Sequence, residues 1–175
     1  MEQDAKAAIA ASIEHFKLPE YEAIPDVGLY LEQTVRYVSE YLSPLPGITL
    51  TGSMVSNYVK KDLIENPVKK LYRREHLAYL FFIAVAKSVL TLEDIQLLIA
   101  MQKQTYDTKR AYEYFARELL NVLQLIFGLK DRLDTIGERN SDEKTMLRNT
   151  IITIAHKIYL EKYFAAMRES FCGEG

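Results

Sequence analysis

The chain has 175 residues, of which 49% are hydrophobic and 26% charged, and its net charge is −2. That is ordinary for a globular domain and long enough to close a core without disulfide or metal staples. The overall charge argues against a non-specific polyanion binder, and the single cysteine, Cys172, has no partner in the chain for a disulfide, in keeping with a reducing compartment. The start, Met1-Glu-Gln-Asp4, is acidic where a secretory signal is basic, so the expectation is a cytoplasmic protein.

Charge is unevenly spread. Residues 57–74 hold six basic and two acidic side chains, whereas residues 1–56 hold three basic and eight acidic. A positive island in an acidic chain points to a local anionic partner.

Taken in order, Glu2–Phe16 is alanine-rich and predicts a helix. Lys17–Asp26 carries two prolines and predicts an extended connection. A second helix is expected from near Gly28 to Leu42, with Leu31, Val35, Val38 and Leu42 as its apolar stripe. Ser43-Pro-Leu-Pro-Gly47 stops it. Thr51–Asp62 predicts a third helix capped by Thr51 or Ser53. Leu63–Arg73 contains Asn66-Pro67 and has no helical period, so it reads as a loop or small hairpin.

A fourth helix starts near Arg74 and holds the longest apolar run, the ten residues Leu77–Ala86. A membrane span needs about 20, so this run reads as a buried helix and no membrane partner is expected. Thr91-Leu-Glu-Asp94 opens a fifth helix. Tyr106–Lys130 predicts a sixth, Asp131–Asn140 a polar connection, and Ser141–Ser170 a last long helix that is apolar on two faces. The fold class is therefore all-α, with divisions at 1–27 (helix and connection), 28–104 and 105–175 (a helical hairpin or bundle).

The third helix divides its faces. Val55, Tyr58 and Val59 lie on one side, and Ser53, Ser56, Asn57 and Lys60 on another. A short polar face ending in a cation suits approach to base edges, because Asn pairs with adenine and Lys reaches guanine or phosphate. The same pattern also describes an ordinary solvated helix. What distinguishes this helix is the basic segment that follows, which would lie along phosphates. The expected DNA-contacting set is Ser53, Ser56, Asn57, Lys60, Lys61, Lys69, Lys70, Tyr72, Arg73 and Arg74.

Leu50–Ile64 resembles the helix-turn and following Gly-Leu-Ile segment of MerR-type regulators, with Asp62 where glycine is common. Tyr72–Leu77 resembles their entry from wing to helix, and Lys87–Ile95 the opening of their fourth helix. Phe16–Leu31, taken with that segment, resembles the bacterial family catalogued as domain of unknown function 1836 (DUF1836), over roughly residues 16–115. The resemblance implies a MerR-like winged helix-turn-helix with a short wing, and no established biochemical activity.

Catalytic chemistry finds little footing. His15, His76 and His156 are far apart, and neither a phosphate-cradling glycine loop nor an H-E-x-x-H motif is present. Ser141-Asp-Glu-Lys144 matches S-x-x-K but lies at a helix start, where capping explains the serine. Glu113 and Glu118 make no acid–base pair that sequence can nominate. No enzyme, cofactor or metal site is expected. The aromatics Tyr106, Tyr112, Tyr114, Phe115, Tyr159, Tyr163 and Phe164 read as bundle packing or a homodimer interface, with an effector pocket as the sharper alternative.

The expected function is a DNA-binding transcriptional regulator, dimeric through its C-terminal helices. The alternatives are a winged-helix protein-interaction module without DNA binding and a small-molecule-responsive regulator.

Overall fold

The computed structural model of the protein describes residues 2–136 and 140–172. The Cys172 side chain, with the redox expectation resting on it, lies outside the described residues, as does part of the connection before the last helix. Among the described residues the fold is all-helical. The helices are α1 Glu2–Ala11, α2 Leu31–Leu42, α3 Gly52–Lys60, α4 Arg74–Ala86, α5 Leu92–Thr105, α6 Thr108–Ile126 and α7 Asp142–Cys172, with one 3-10 turn at Tyr21–Ala23. Extended pairing is limited to two isolated bridges, Leu29 with Tyr72 and Val68 with Leu71.

Short polar side chains set four helix starts by accepting a backbone N–H three residues on. Thr51 accepts from Met54 and Thr91 from Asp94, each at 3.2 Å. Asp107 accepts from Arg110 at 2.8 Å, and Ser141 from Lys144 at 3.3 Å. The serine of the S-x-x-K match is therefore a cap. The end of α3 is a Schellman turn, in which Leu63 N–H donates to Tyr58 O and Asp62 N–H to Val59 O. Asp62 takes the left-handed position there, with φ 56°. The same closure ends α6 at Gly128, φ 74°.

α4 is the centre of the core. Leu77, Leu80, Phe81, Ile83 and Val85 have no exposed surface. It is enclosed by α2, α6 and α7, which is why its apolar residues run continuously instead of forming one stripe. α7 spans 31 residues, about 46 Å, and packs along α1, α4, α5 and α6. Phe115, Leu119, Val122 and Leu123 of α6 are buried, as are Ile151, Ile154 and Ile158 of α7.

Two expectations shift. α1 ends at Ala11, not Phe16, and Ser12 Oγ donates to Ile9 O at 2.6 Å as the chain turns away. The connection expected to be extended, Lys17–Asp26, holds the 3-10 turn Tyr21–Ala23 and packs on the core. Phe16, Leu18, Tyr21 and Ile24 are all buried, and Tyr112 Oη donates to Pro19 O at 2.8 Å. One contiguous cluster of buried residues runs from Ile9 to Ile158 and crosses both divisions drawn from sequence.

Candidate nucleic-acid interface

The candidate edge is assembled where the chain entering α2 meets α3 and the segment after it. The start of α3 lies against the start of α2, where a Cβ at Gly52 would make only an ordinary contact with Leu31 Cδ2, at 3.4 Å. At Gly28, φ 87°, a Cβ would meet Leu71 Cβ at 3.0 Å. That turn brings Leu29 beside Tyr72, where each N–H donates to the other's carbonyl at 2.8 Å. The segment after α3 is thereby clamped to the chain entering α2.

Beyond the clamp the chain reverses in two residues. Leu71 N–H donates to Val68 O at 3.0 Å, and Lys69 and Lys70 have φ of 52° and 63°. Positive φ at both central positions is the signature of a type I′ turn, which Asn-Gly fills most readily. Two lysines are held there instead, at a cost of about 1–2 kcal/mol each for the left-handed backbone. Both side chains are exposed.

On α3, Val55 and Tyr58 are buried, and Ser53, Ser56 and Lys60 are exposed on the other side with Asn57 half-buried. Lys61 is exposed, and its carbonyl accepts from Gln96 Nε2 at 3.2 Å, which ties the end of α3 to α5. Arg73, also exposed, caps α4, its N–H donating to His76 Nδ1 at 3.0 Å. Among the described residues no ion pair involves Lys60, Lys61, Lys69, Lys70 or Arg73, nor the exposed Asp62 and Glu65.

Two of the ten expected residues are placed elsewhere. Tyr72 is only 5% exposed, and its ring packs edge-on against His76 at 5.6 Å, so it is a core residue. Burial also pushes its phenol pKa up. Arg74 turns inward. It donates to Glu22 Oε2 at 3.0 Å, Ile24 O at 2.9 Å and Glu22 O at 3.1 Å, and lies 5.5 Å from the Tyr21 ring centroid. Lys109 Nζ holds the other Glu22 oxygen at 2.6 Å. Hydrogen bonding and attraction from Lys109, then the Arg74 charge, hold the Glu22 carboxyl below its usual range. No local pattern could have shown this, because Glu22 and Arg74 are 52 residues apart.

Elsewhere, among the described residues, no group of His, Cys, Asp or Glu is placed to hold a metal ion. No helix there is long and apolar enough to cross a membrane.

Among the described residues, the fold and this edge define an all-helical protein that presents cations without ion pairs on a helix and an adjoining tight turn. The chain belongs to the family described as domain of unknown function (DUF1836), whose model matches residues 19–115, more than half of its length. The matched stretch holds the whole candidate edge together with Glu22, and α7 lies outside it. No curated protein and no solved structure matches the chain.

Proposed function

We propose that the protein is a cytoplasmic DNA-binding transcriptional regulator built on a MerR-like winged helix-turn-helix. In this reading α2 and α3 are the helix-turn-helix pair and Val68–Leu71 is a minimal wing. α3 enters the major groove with Ser53, Ser56, Asn57 and Lys60 towards the bases. Lys61, Lys69, Lys70 and Arg73 hold phosphates, which position the helix without reading sequence. Tyr72 and Arg74 support the edge from behind.

The turn carries the reading. Two cations are kept at backbone positions that disfavour them, on the tip of a hairpin, with no ion pair among the described residues. Local strain of this kind concentrates where it serves function. A protein-interaction module that had lost DNA binding would more naturally pair these lysines with Asp62 and Glu65, and no such pair is among the described residues. A homodimer through the C-terminal helices belongs to the same proposal. It is supported by Leu160 and Phe164, 50% and 52% exposed one turn apart on α7, and by the match between two-fold protein symmetry and palindromic half-sites.

The test is selection of bound duplexes from a randomised pool at two salt concentrations. The proposal expects an enriched palindromic site and binding that weakens steeply with salt. Failure to enrich any sequence, together with salt-independent binding, would overturn it. Asn57→Ala should relax preference at one base position by about 1–3 kcal/mol, read from binding to single-substituted sites.

A further inference from the structure

A second feature lies away from the α3 edge. Between α4, α5, α6 and α7 is a cavity of about 760 Å³, within the roughly 300–1,000 Å³ typical of small-molecule sites. Its apolar wall includes Phe82 and Phe115, edge to face at 5.4 Å, with Leu98, Ile99 and Leu147. Of the aromatics singled out in sequence, Tyr106, Tyr112, Tyr114 and Phe115 line it.

Most of its polar groups are already engaged. Tyr79 Oη donates to Gln102 Oε1 at 3.0 Å, and Gln102 Nε2 donates to Tyr106 O at 2.6 Å. Thr105 Oγ1 donates to Glu143 Oε1 at 2.9 Å. Lys144 Nζ lies over the rings of Tyr106 and Tyr114, 5.6 and 5.1 Å from their centroids.

Two charges on the lining are different. Arg110 and Arg117 are exposed, and among the described residues neither has an ion-pair partner. They lie seven residues apart on α6, about 10 Å along its axis. Arg110 is also in the first turn of α6, whose N-terminus already holds the Asp107 carboxylate, so the site's attraction for an anion rests on the arginine side chains. Glu113 lies between them and offsets one of the two charges.

We propose that this cavity binds a small organic anion, with an apolar, ring-sized body against Phe82 and Phe115 and an acidic head at Arg110 or Arg117. The lining excludes the other simple chemistries. A bare inorganic anion would leave the apolar wall wet. A cation would meet Arg110, Arg117 and Lys144 against only Glu113 and Glu143, a lining that stays positive. A neutral apolar ligand would take nothing from the arginines. The site draws its walls from α4 and α5 as well as from α7, so an occupant touches both the family-matched segment and the helix beyond it. This inference does not depend on DNA binding.

The test uses the full chain and two fluorescent probes that share one aryl body. These are 1-anilinonaphthalene-8-sulfonate and its uncharged counterpart N-phenyl-1-naphthylamine. Binding is followed by titration, with near-ultraviolet circular dichroism showing intact tertiary packing, since the sulfonate also binds loosened folds. The expected result is one saturable site that takes the sulfonate about ten-fold or more tighter than the neutral probe, as charge-assisted contacts imply. Arg110→Gln with Arg117→Gln should erase that difference and leave the neutral probe unchanged. Ala111→Phe, which puts a ring on the lining, should weaken both probes. Equal affinity for the two probes, or full sulfonate affinity in the double Gln variant, would overturn the proposal. If Ala111→Phe fails to fold, the two exposed arginines still decide it.

Discussion

Lys69 and Lys70 on one side of the comparison, and Arg110 and Arg117 on the other, are all exposed cations without ion-pair partners among the described residues. Their settings are opposite in shape. The lysines stand on the tip of a two-residue turn, clear of the core, on strained backbone. The arginines stand on a regular helix beside a cavity walled by aromatic rings. A convex tip touches a surface and gains from charge repeated along it, as on a phosphate backbone. A concave site encloses a discrete molecule and gains from its apolar body as well. Under the two proposals the same charge serves two ligand classes, and each can be removed without touching the other.

The largest expected effect separates them. Lys61→Gln, Lys69→Gln and Lys70→Gln together should lower the slope of log affinity against log salt by about 0.9 per lost phosphate contact, so by about 2.7 for three. Binding of the sulfonate probe at the cavity should stay as it was. Fluorescence anisotropy with a labelled duplex over a salt series reads the first, and probe titration the second. An unchanged slope breaks the comparison on the DNA side.

Next in size is Arg74→Ala. This arginine belongs to the same run of positive charge as the turn lysines, yet its side chain is 22% exposed and spent on Glu22, Ile24 and Tyr21. Its loss should cost about 2–3 kcal/mol of stability, measured by urea denaturation, and leave the salt slope of duplex binding intact. A fall in slope without loss of stability would return Arg74 to the phosphate-contacting set.

These contrasts also show what a sequence can display. The caps at Thr51, Thr91, Asp107 and Ser141 join residues three apart, so a local pattern suffices to find them. The start of α4 at Arg74 was legible from the long apolar run that follows it. The inward turn of Arg74 was not, because its partner is 52 residues away in a segment whose prolines suggested an extended connection. Tyr72 looked available because it neighbours two arginines, while its burial depends on Leu29 and His76 meeting it in space. The turn was legible only as a loop or hairpin, since Lys-Lys carries none of the Gly or Asn chemistry that marks type I′. The cavity was legible only as the alternative reading of aromatics that line it, Tyr106, Tyr112, Tyr114 and Phe115. Periodicity reports which side chains face inward, and a void depends on what they leave unfilled.

A smaller effect tests the cost of the turn directly. Lys69→Asn with Lys70→Gly supplies the residues that this backbone prefers. Stability should rise by about 1 kcal/mol, less than the full left-handed cost because Asn keeps its Cβ and Gly loses more freedom on folding, seen as a higher melting temperature. Duplex binding should weaken at the same time through the lost cations. The opposed signs are the point: a turn kept only for folding would improve in stability and lose nothing. If both quantities rise, the lysines serve no anion.

The smallest effect concerns the pair that is sheltered from this contest. The Glu22 carboxyl is held low first by its hydrogen bond to Lys109, then by the Lys109 and Arg74 charges, and Glu22 in turn raises the Lys109 pKa. A depressed carboxyl stabilises the fold above its unfolded-state value, and that contribution is lost as pH falls through the lowered folded value. The raised lysine behaves in mirror image, contributing below its ordinary value and losing the contribution as pH rises through the folded one. Wild type should therefore exceed Glu22→Gln in melting temperature near neutral pH, and the gap should close on acidification from about pH 7 to about pH 3. It should close again at strongly alkaline pH. Both groups face solvent, so added salt should shrink the gap throughout. A gap that persists unchanged into acid would mean that Glu22 acts through packing, and the Arg74 result would then need the same explanation.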